Sequence, residues 1–127
     1  MKNLNVVFLD DPDVVQTIKL ILRRIERNPK NQMTFMAVPS SRILDLKSID
    51  LAFVSSLLPG GVELAKRYCT SGIKTFITSG DEHDRYQAGQ IGAHFLHLGE
   101  SYESHTTQIE IVLGVAPHLF WNEFVLT

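Results

Sequence analysis

Three sets of residues have the types and spacing to do chemistry. The first is acidic: Asp10, Asp11 and Asp13 crowd directly behind the apolar run Val6-Val7-Phe8-Leu9. Neighbouring carboxylates can hold a hard divalent cation such as Mg²⁺. They can equally cap a helix, because an acidic oxygen satisfies the free N–H groups at its positive end. The second set is hydroxylic: Ser55 and Ser56 follow one apolar run, and Thr78 and Ser79 follow another. A serine becomes a nucleophile only beside a base. No Gly-x-Ser-x-Gly elbow is present, so hydroxyls bonded to nearby backbone are the competing reading. The third set is the histidines. His94 and His97 stand three apart, which on a strand places them on opposite faces, a poor arrangement for sharing one ion. His83, within Asp81-Glu82-His83-Asp84, suits a metal by composition and a polar helix start by position. Pro59-Gly60-Gly61 lacks the Gly-Lys-Ser/Thr ending of a phosphate loop. Cys69 has only Lys66 and Arg67 as basic neighbours and reads as a packed small residue.

The elements that must position these residues follow from the hydrophobic pattern. Short continuous apolar runs, many rich in β-branched residues, recur at Val6–Leu9, Met33–Val38, Ile49–Val54, Ile73–Ile77 and Phe95–Leu98. Such runs predict strands buried on both faces, as in parallel sheets. Between the first two, Val14, Ile18, Ile21, Leu22 and Ile25 recur at three and four, the stripe of an amphipathic helix. Asp11 or Asp13 is placed to cap it. Arg23, Arg24 and Arg27 suit its C-terminal end, and Asn28-Pro29 stops it. Further helices are expected from Pro39-Ser40-Ser41 through Leu46, over Val62–Tyr68, from Asp81 or Asp84 to Gln90, and over Glu103–Leu113 behind Ser101 or Ser104. Five strands alternating with five helices argue an α/β fold of three layers, an open parallel five-stranded sheet clothed on both faces. In such sheets ligands bind at the carboxyl ends of the strands. The residues that matter are therefore Asp10, Asp11, Ser55, Ser56, Thr78, Ser79, Leu98 and Gly99.

Bulk properties narrow the function classes. With 127 residues, 44% apolar and 20% charged, the chain fits one domain with a core that needs neither disulfide nor metal. A net charge of −2 gives no field directed at nucleic acid or an anionic membrane. One cysteine forbids an internal disulfide. With no signal-peptide pattern and no run of the roughly 18 apolar residues a membrane span needs, a reducing cytoplasm is expected.

The ordered set of motifs resembles the receiver domains of response regulators, the CheY-like modules of two-component signal transduction and phosphorelay. The likeness covers about residues 5–114. Val-Phe-Leu-Asp-Asp-Pro-Asp-Val (7–14) is similar to the acidic end of the family's first strand. Asp-Leu-Ala-Phe-Val-Ser-Ser-Leu-Leu-Pro-Gly (50–60) is similar to its third strand and following loop. Thr78 matches the switch hydroxyl, and Ala-Gly-Gln-Ile-Gly-Ala-His-Phe-Leu (88–96) matches the run into the fifth strand, with Phe95 at the aromatic switch position. The resemblance implies strand order 2-1-3-4-5, the flavodoxin/CheY-like arrangement. It also implies a phosphorylation pocket that is degenerate here. Ser55 stands where the family has its phospho-acceptor aspartate, and a hydroxyl is a poor nucleophile and a poor ligand for a hard ion. Asp50 cannot replace it, being about 16 Å away along the same strand at ~3.3 Å per residue. Leu98-Gly99 stand where the family has its lysine. One register places Asp10 and Asp11 on the two metal-binding acids, and another places Leu9 and Asp10 there.

The expectation is thus a pseudo-receiver: residues 1–114 as a receiver-like domain and 115–127 as an apolar tail or helix extension. It would act as no enzyme, with no cofactor beyond weak Mg²⁺ at Asp10 and Asp11. It would work by protein–protein interaction with another protein or an output domain, or as a homodimer, without direct contact to nucleic acid or membrane. By resemblance the partner-binding surface includes Phe95 and His97, in the face built from about 85–90, 95–98 and 103–113. The tail adds Phe120, Trp121 and Phe124, in a cluster that fits either a strap on the domain itself or an interaction patch. Two other readings stand beside this one. A phosphorylatable, Mg²⁺-binding response regulator follows if the pocket aligns differently. A flavodoxin-like small-ligand domain is the other, against which the strand-end loops lack a glycine- and hydroxyl-rich cradle.

Overall fold

The computed structural model describes residues 1–117; the tail residues Phe120, Trp121 and Phe124 lie outside the described residues. The elements, numbered in chain order, are β1 (Lys2–Leu9), α1 (Pro12–Arg27), β2 (Met33–Ala37), β3 (Leu51–Ser55), α2 (Gly61–Thr70), β4 (Lys74–Ser79), α3 (Asp84–Ile91), β5 (His94–His97) and α4 (Tyr102–Leu113). All five strands are parallel, in the order β2-β1-β3-β4-β5. This is the expected flavodoxin/CheY-like arrangement.

The period-two alternation of each strand feeds two cores. On one face Val6, Phe53, Phe76 and Leu96 pack under Ile18, Ile21, Leu22 and Ile25 of α1 and Ile109 of α4. The register aligns Phe8 with Phe53 and Phe53 with Phe76. Their rings stack across three strands at centroid spacings of 5.8 and 5.0 Å, both 9° from parallel. On the other face Val7, Ala52, Val54, Ile77 and Phe95 pack against Ala65 and Tyr68 of α2 and Ala88 of α3. The central strand β3 is sealed on both sides, and Leu51 to Val54 are wholly buried.

Among the described residues four helices form, not five. The helix expected from Pro39 through Leu46 is reduced to two 3₁₀ turns, Ser40–Arg42 and Leu46–Ser48. The main-chain bonds there are i→i+3: Asp45 N–H to the Arg42 carbonyl and Ser48 N–H to the Asp45 carbonyl. The Ile43 carbonyl that an α-helix would use instead accepts the Tyr68 hydroxyl at 2.6 Å. So short a segment recovers little of the cost of nucleating a helix, and the tertiary bond decides its course. At α1 the N-cap residue is Asp11, but its side chain makes no capping bond. At α4 the cap is Ser101, whose hydroxyl accepts the Ser104 N–H at 3.1 Å.

Both sheet edges are partly guarded by side chains. On β2, Glu26 Oε1 accepts the Phe35 N–H at 2.7 Å. On β5, His105 Nε2 lies 2.6 Å from the His97 carbonyl oxygen, so that nitrogen carries the proton. Each of these bonds covers a single edge group, and a strand added from another chain would have to displace it. Among the described residues no helix is long and apolar enough to cross a membrane.

Candidate functional site

The carboxyl ends of β1, β3 and β4 bring Asp10, Ser55 and Thr78 together. Ser55 is the last residue of β3 and pairs in register with Thr78 of β4. Asp10 follows β1, on the other side of β3. Its Oδ2 accepts a short hydrogen bond from the Thr78 hydroxyl, so the carboxylate reaches across the end of β3, over the position that Ser55 occupies. Its Oδ1 accepts the Asp11 N–H at 2.8 Å, which ties the carboxylate to the chain entering α1. Thr78 is 1% exposed, and its oxygen also lies 3.4 Å from the Val54 carbonyl.

Burial pushes the Asp10 carboxyl above the usual carboxylate range, and the neighbouring Asp11 charge adds to this. The bonds from Thr78 and from the Asp11 N–H pull the other way. The hydroxyl therefore answers the desolvation that Asp10 suffers. Ser55 is turned to local work: its Oγ accepts the Leu57 N–H at 3.2 Å, holding the turn between β3 and α2. Ser56 Oγ is buried and has no hydrogen-bond partner among the described residues.

Asp10, Asp11 and Ser55 line one cleft of about 440 Å³ with Phe8, Leu9, Leu57, Leu58 and Pro59. Its walls are apolar on the β3–α2 side, where Leu57 is 85% exposed. Leu98 is not part of that cleft. It lines a separate hollow of about 200 Å³ with Val14, Thr17, Ile18 and His105, while its N–H bonds the Ser79 carbonyl at 2.8 Å. Leu98 is thus a partly exposed apolar side chain on a hollow shared with the start of α1. Gly61 closes the β3–α2 turn for a steric reason. A Cβ there would stand 2.9 Å from the Ser55 carbonyl oxygen and 3.0 Å from Leu58 Cβ.

The donor set fits Mg²⁺ poorly. The cleft offers two carboxylates and a hydroxyl, and both Asp10 oxygens already accept hydrogen bonds. An ion that demands six well-placed oxygens would have to break the Thr78 bond to use Oδ2. Among the described residues no group of three or more His, Cys, Asp or Glu side chains could hold a metal ion.

The remaining candidates separate across the sheet. The His94 ring tilts against Phe76, at 5.4 Å, in the α1–α4 layer. Burial lowers its pKa, and Lys74 lowers it further. The His97 ring meets Phe95 edge-on in the opposite layer, at 6.0 Å. Phe95 is only 8% exposed, packed in the core under α2 and α3, and the Arg85 guanidinium lies 4.7 Å from its ring centroid. Arg85 is held by a short bond to Glu82 Oε1, a second at 3.3 Å to Glu82 Oε2, and Glu100 at 3.7 Å. The surface over Phe95 is therefore an ion network, with His97 Nε2 3.7 Å from Glu82. Burial raises the Cys69 thiol pKa, against a hydrogen bond with Thr75, and so disfavours the thiolate. The role of Arg85 escaped sequence reading. The three-residue spacing of Glu82 and Arg85 was the available signal.

No family model matches the sequence, and no curated protein matches it. Solved structures do match the fold. Among them is a 2.72 Å crystal structure described as a CpaE2 pilus assembly protein from Sinorhizobium meliloti 1021. The two superpose with a TM-score of 0.57 at 12% sequence identity, over 87% of this chain and 98% of that one. At that identity the likeness establishes the fold alone: a parallel five-stranded α/β sheet of order 2-1-3-4-5.

Proposed function

We propose that this chain is a pseudo-receiver, a receiver-like regulatory domain that works through protein contact and independently of aspartyl phosphorylation. The observation that carries this reading is the Asp10–Thr78 hydrogen bond across the end of β3. In the family the chain resembles, the switch hydroxyl serves a phosphoryl group on the third strand's aspartate. Here Ser55 takes that place and its oxygen accepts the Leu57 N–H, and the Thr78 hydroxyl donates to the Asp10 carboxylate. The lysine position is Leu98, packed apart from the cleft. Ser55 removes the nucleophile and a metal ligand of the phosphoryl chemistry, and Leu98 removes the charge partner. A related fold in a pilus assembly protein is consistent with an architecture put to use in contact between proteins.

The test is incubation of the full chain with acetyl phosphate and Mg²⁺, read by intact mass. The unmodified mass is expected. A stoichiometric, hydroxylamine-sensitive phosphorylated species would overturn the reading and point to Asp10 or Asp11 as acceptor.

A further inference from the structure

The two edges of the sheet differ in how far their charged groups are already satisfied. Around β5 the network is closed: Arg85 is shared between Glu82, Glu100 and the Phe95 ring. Along β2 it is open. A groove of about 400 Å³ runs between α1 and β2, with Val6, Phe8, Leu22 and Phe35 as its apolar lining. Lys19 and Arg23 stand on its helix side. Lys19 Nζ lies 5.5 Å from the centroid of the Phe8 ring, and Arg23 makes no ion pair among the described residues. The one carboxylate in the lining, Glu26, is taken by the Phe35 N–H. Lys19 and Arg23 against the Glu26 carboxylate leave this rim with one positive charge in excess, on a chain whose net charge is −2.

The strand beside the groove has a free side. Val38 N–H bonds the Val6 carbonyl and Lys2 N–H bonds the Gln32 carbonyl, so residues 32, 34, 36 and 38 face β1. The main-chain groups of 33, 35 and 37 point away from the sheet, and among the described residues no strand lies beyond β2. Met36, on the strand's other face, is 62% exposed. An added strand would thus meet the groove on one face and Met36 on the other.

We propose that the α1–β2 edge is a docking site for an extended segment of another protein that alternates acidic and apolar residues. This rests on the reading that the chain works by protein contact, and names the surface and the partner's chemistry. The partner's backbone pairs with the outward groups of Phe35 and Ala37, its carboxylates meet Lys19 and Arg23, and its apolar side chains enter the groove over Phe8. Charge complementarity selects the partner's sign, and the main-chain pairing supplies affinity. Glu26 acts as a guard that yields the Phe35 N–H to the incoming carbonyl.

The test is titration of the ¹⁵N-labelled full chain with an acetylated heptapeptide alternating glutamate with valine and phenylalanine, and with its lysine counterpart as control. Saturable shifts of amides in 19–26 and 33–37 are expected with the acidic peptide only, with a Kd on the order of 0.1 mM. Arg23→Glu, an exposed change that leaves the core intact, should weaken binding about tenfold, and added salt should weaken it further. Equal shifts with the lysine peptide, shifts centred on Arg85, or no shift at millimolar peptide overturn the proposal. Concentration-dependent shifts of the same amides without peptide would assign the edge to a second copy. Nuclear Overhauser contacts from Phe35 to Trp121 would assign it to the chain's own tail. Either result also overturns the proposal. None of these outcomes bears on acetyl phosphate reactivity, so this surface and the phosphorylation-independent reading fail separately.

Discussion

Thr78→Val isolates the bond on which the site is built. Valine matches threonine in shape, so the change leaves no cavity and removes only the hydroxyl. The hydroxyl is buried and donates to a half-buried carboxylate. Losing a hydrogen bond to a charged group costs about 1.5–3 kcal/mol. For a chain of this size that lowers Tm by roughly 5–12 °C. The loss should depend on pH. Burial holds the folded pKa of Asp10 above its unfolded value, so its ionised form is a destabilising presence at neutral pH. Stability tied to this group rises as pH falls through the folded pKa toward 3.8, the unfolded value. In Thr78→Val the pKa rises further, because the bond that lowered it is gone. The gap between wild type and variant should therefore be full at pH 7 and shrink as Asp10 takes up its proton. Urea denaturation from pH 7 down to pH 4 reads both quantities. A variant within about 0.5 kcal/mol of wild type at pH 7, or a gap that widens in acid, would refute the reasoning.

Other predictions follow from the same contacts. Gly61→Ala should cost about 1–3 kcal/mol in urea denaturation, because its Cβ would meet the Ser55 carbonyl at 2.9 Å and must displace the β3–α2 turn. Tyr68→Phe should cost about 1 kcal/mol and speed amide exchange over 40–48, since the hydroxyl holds the Ile43 carbonyl at 2.6 Å in place of helix bonding. Arg85→Ala should uncover the Phe95 ring, seen as increased dye binding to exposed apolar surface with little change in Tm, because the ion pairs it breaks are exposed.

Much of the fold was legible because its signals are local. Leu51–Val54 is apolar throughout, since β3 is covered on both faces, and Ile18, Ile21, Leu22 and Ile25 mark the buried stripe of α1. The start of β1 was missed for a related reason. From Lys2 to Asn5 the strand pairs only with β2 and is partly exposed, so no apolar run announces it. The segment from Ser40 to Ser48 misled because its local pattern favoured a helix, whereas a hydroxyl from Tyr68, 25 residues away from Ile43, fixes its course. The site shows the same division. Ser55, Thr78 and Asp10 could be placed at strand ends from the order of motifs. The bond between Asp10 and Thr78 spans 68 positions and exists only once β3 lies between them. Leu98 was correctly located at a strand end, yet its side chain turns to α1 rather than to the acidic cleft.

Titrating Mg²⁺ and beryllofluoride, a phosphoryl mimic, into the ¹⁵N-labelled chain tests the central claim most directly. The amides of Asp10, Asp11, Ser55 and Thr78 should stay still at millimolar ligand, because Asp10 and Thr78 already satisfy each other and Ser55 offers no carboxylate. Saturable, concerted shifts at those four residues would contradict the account and return the chain to phosphoryl signalling.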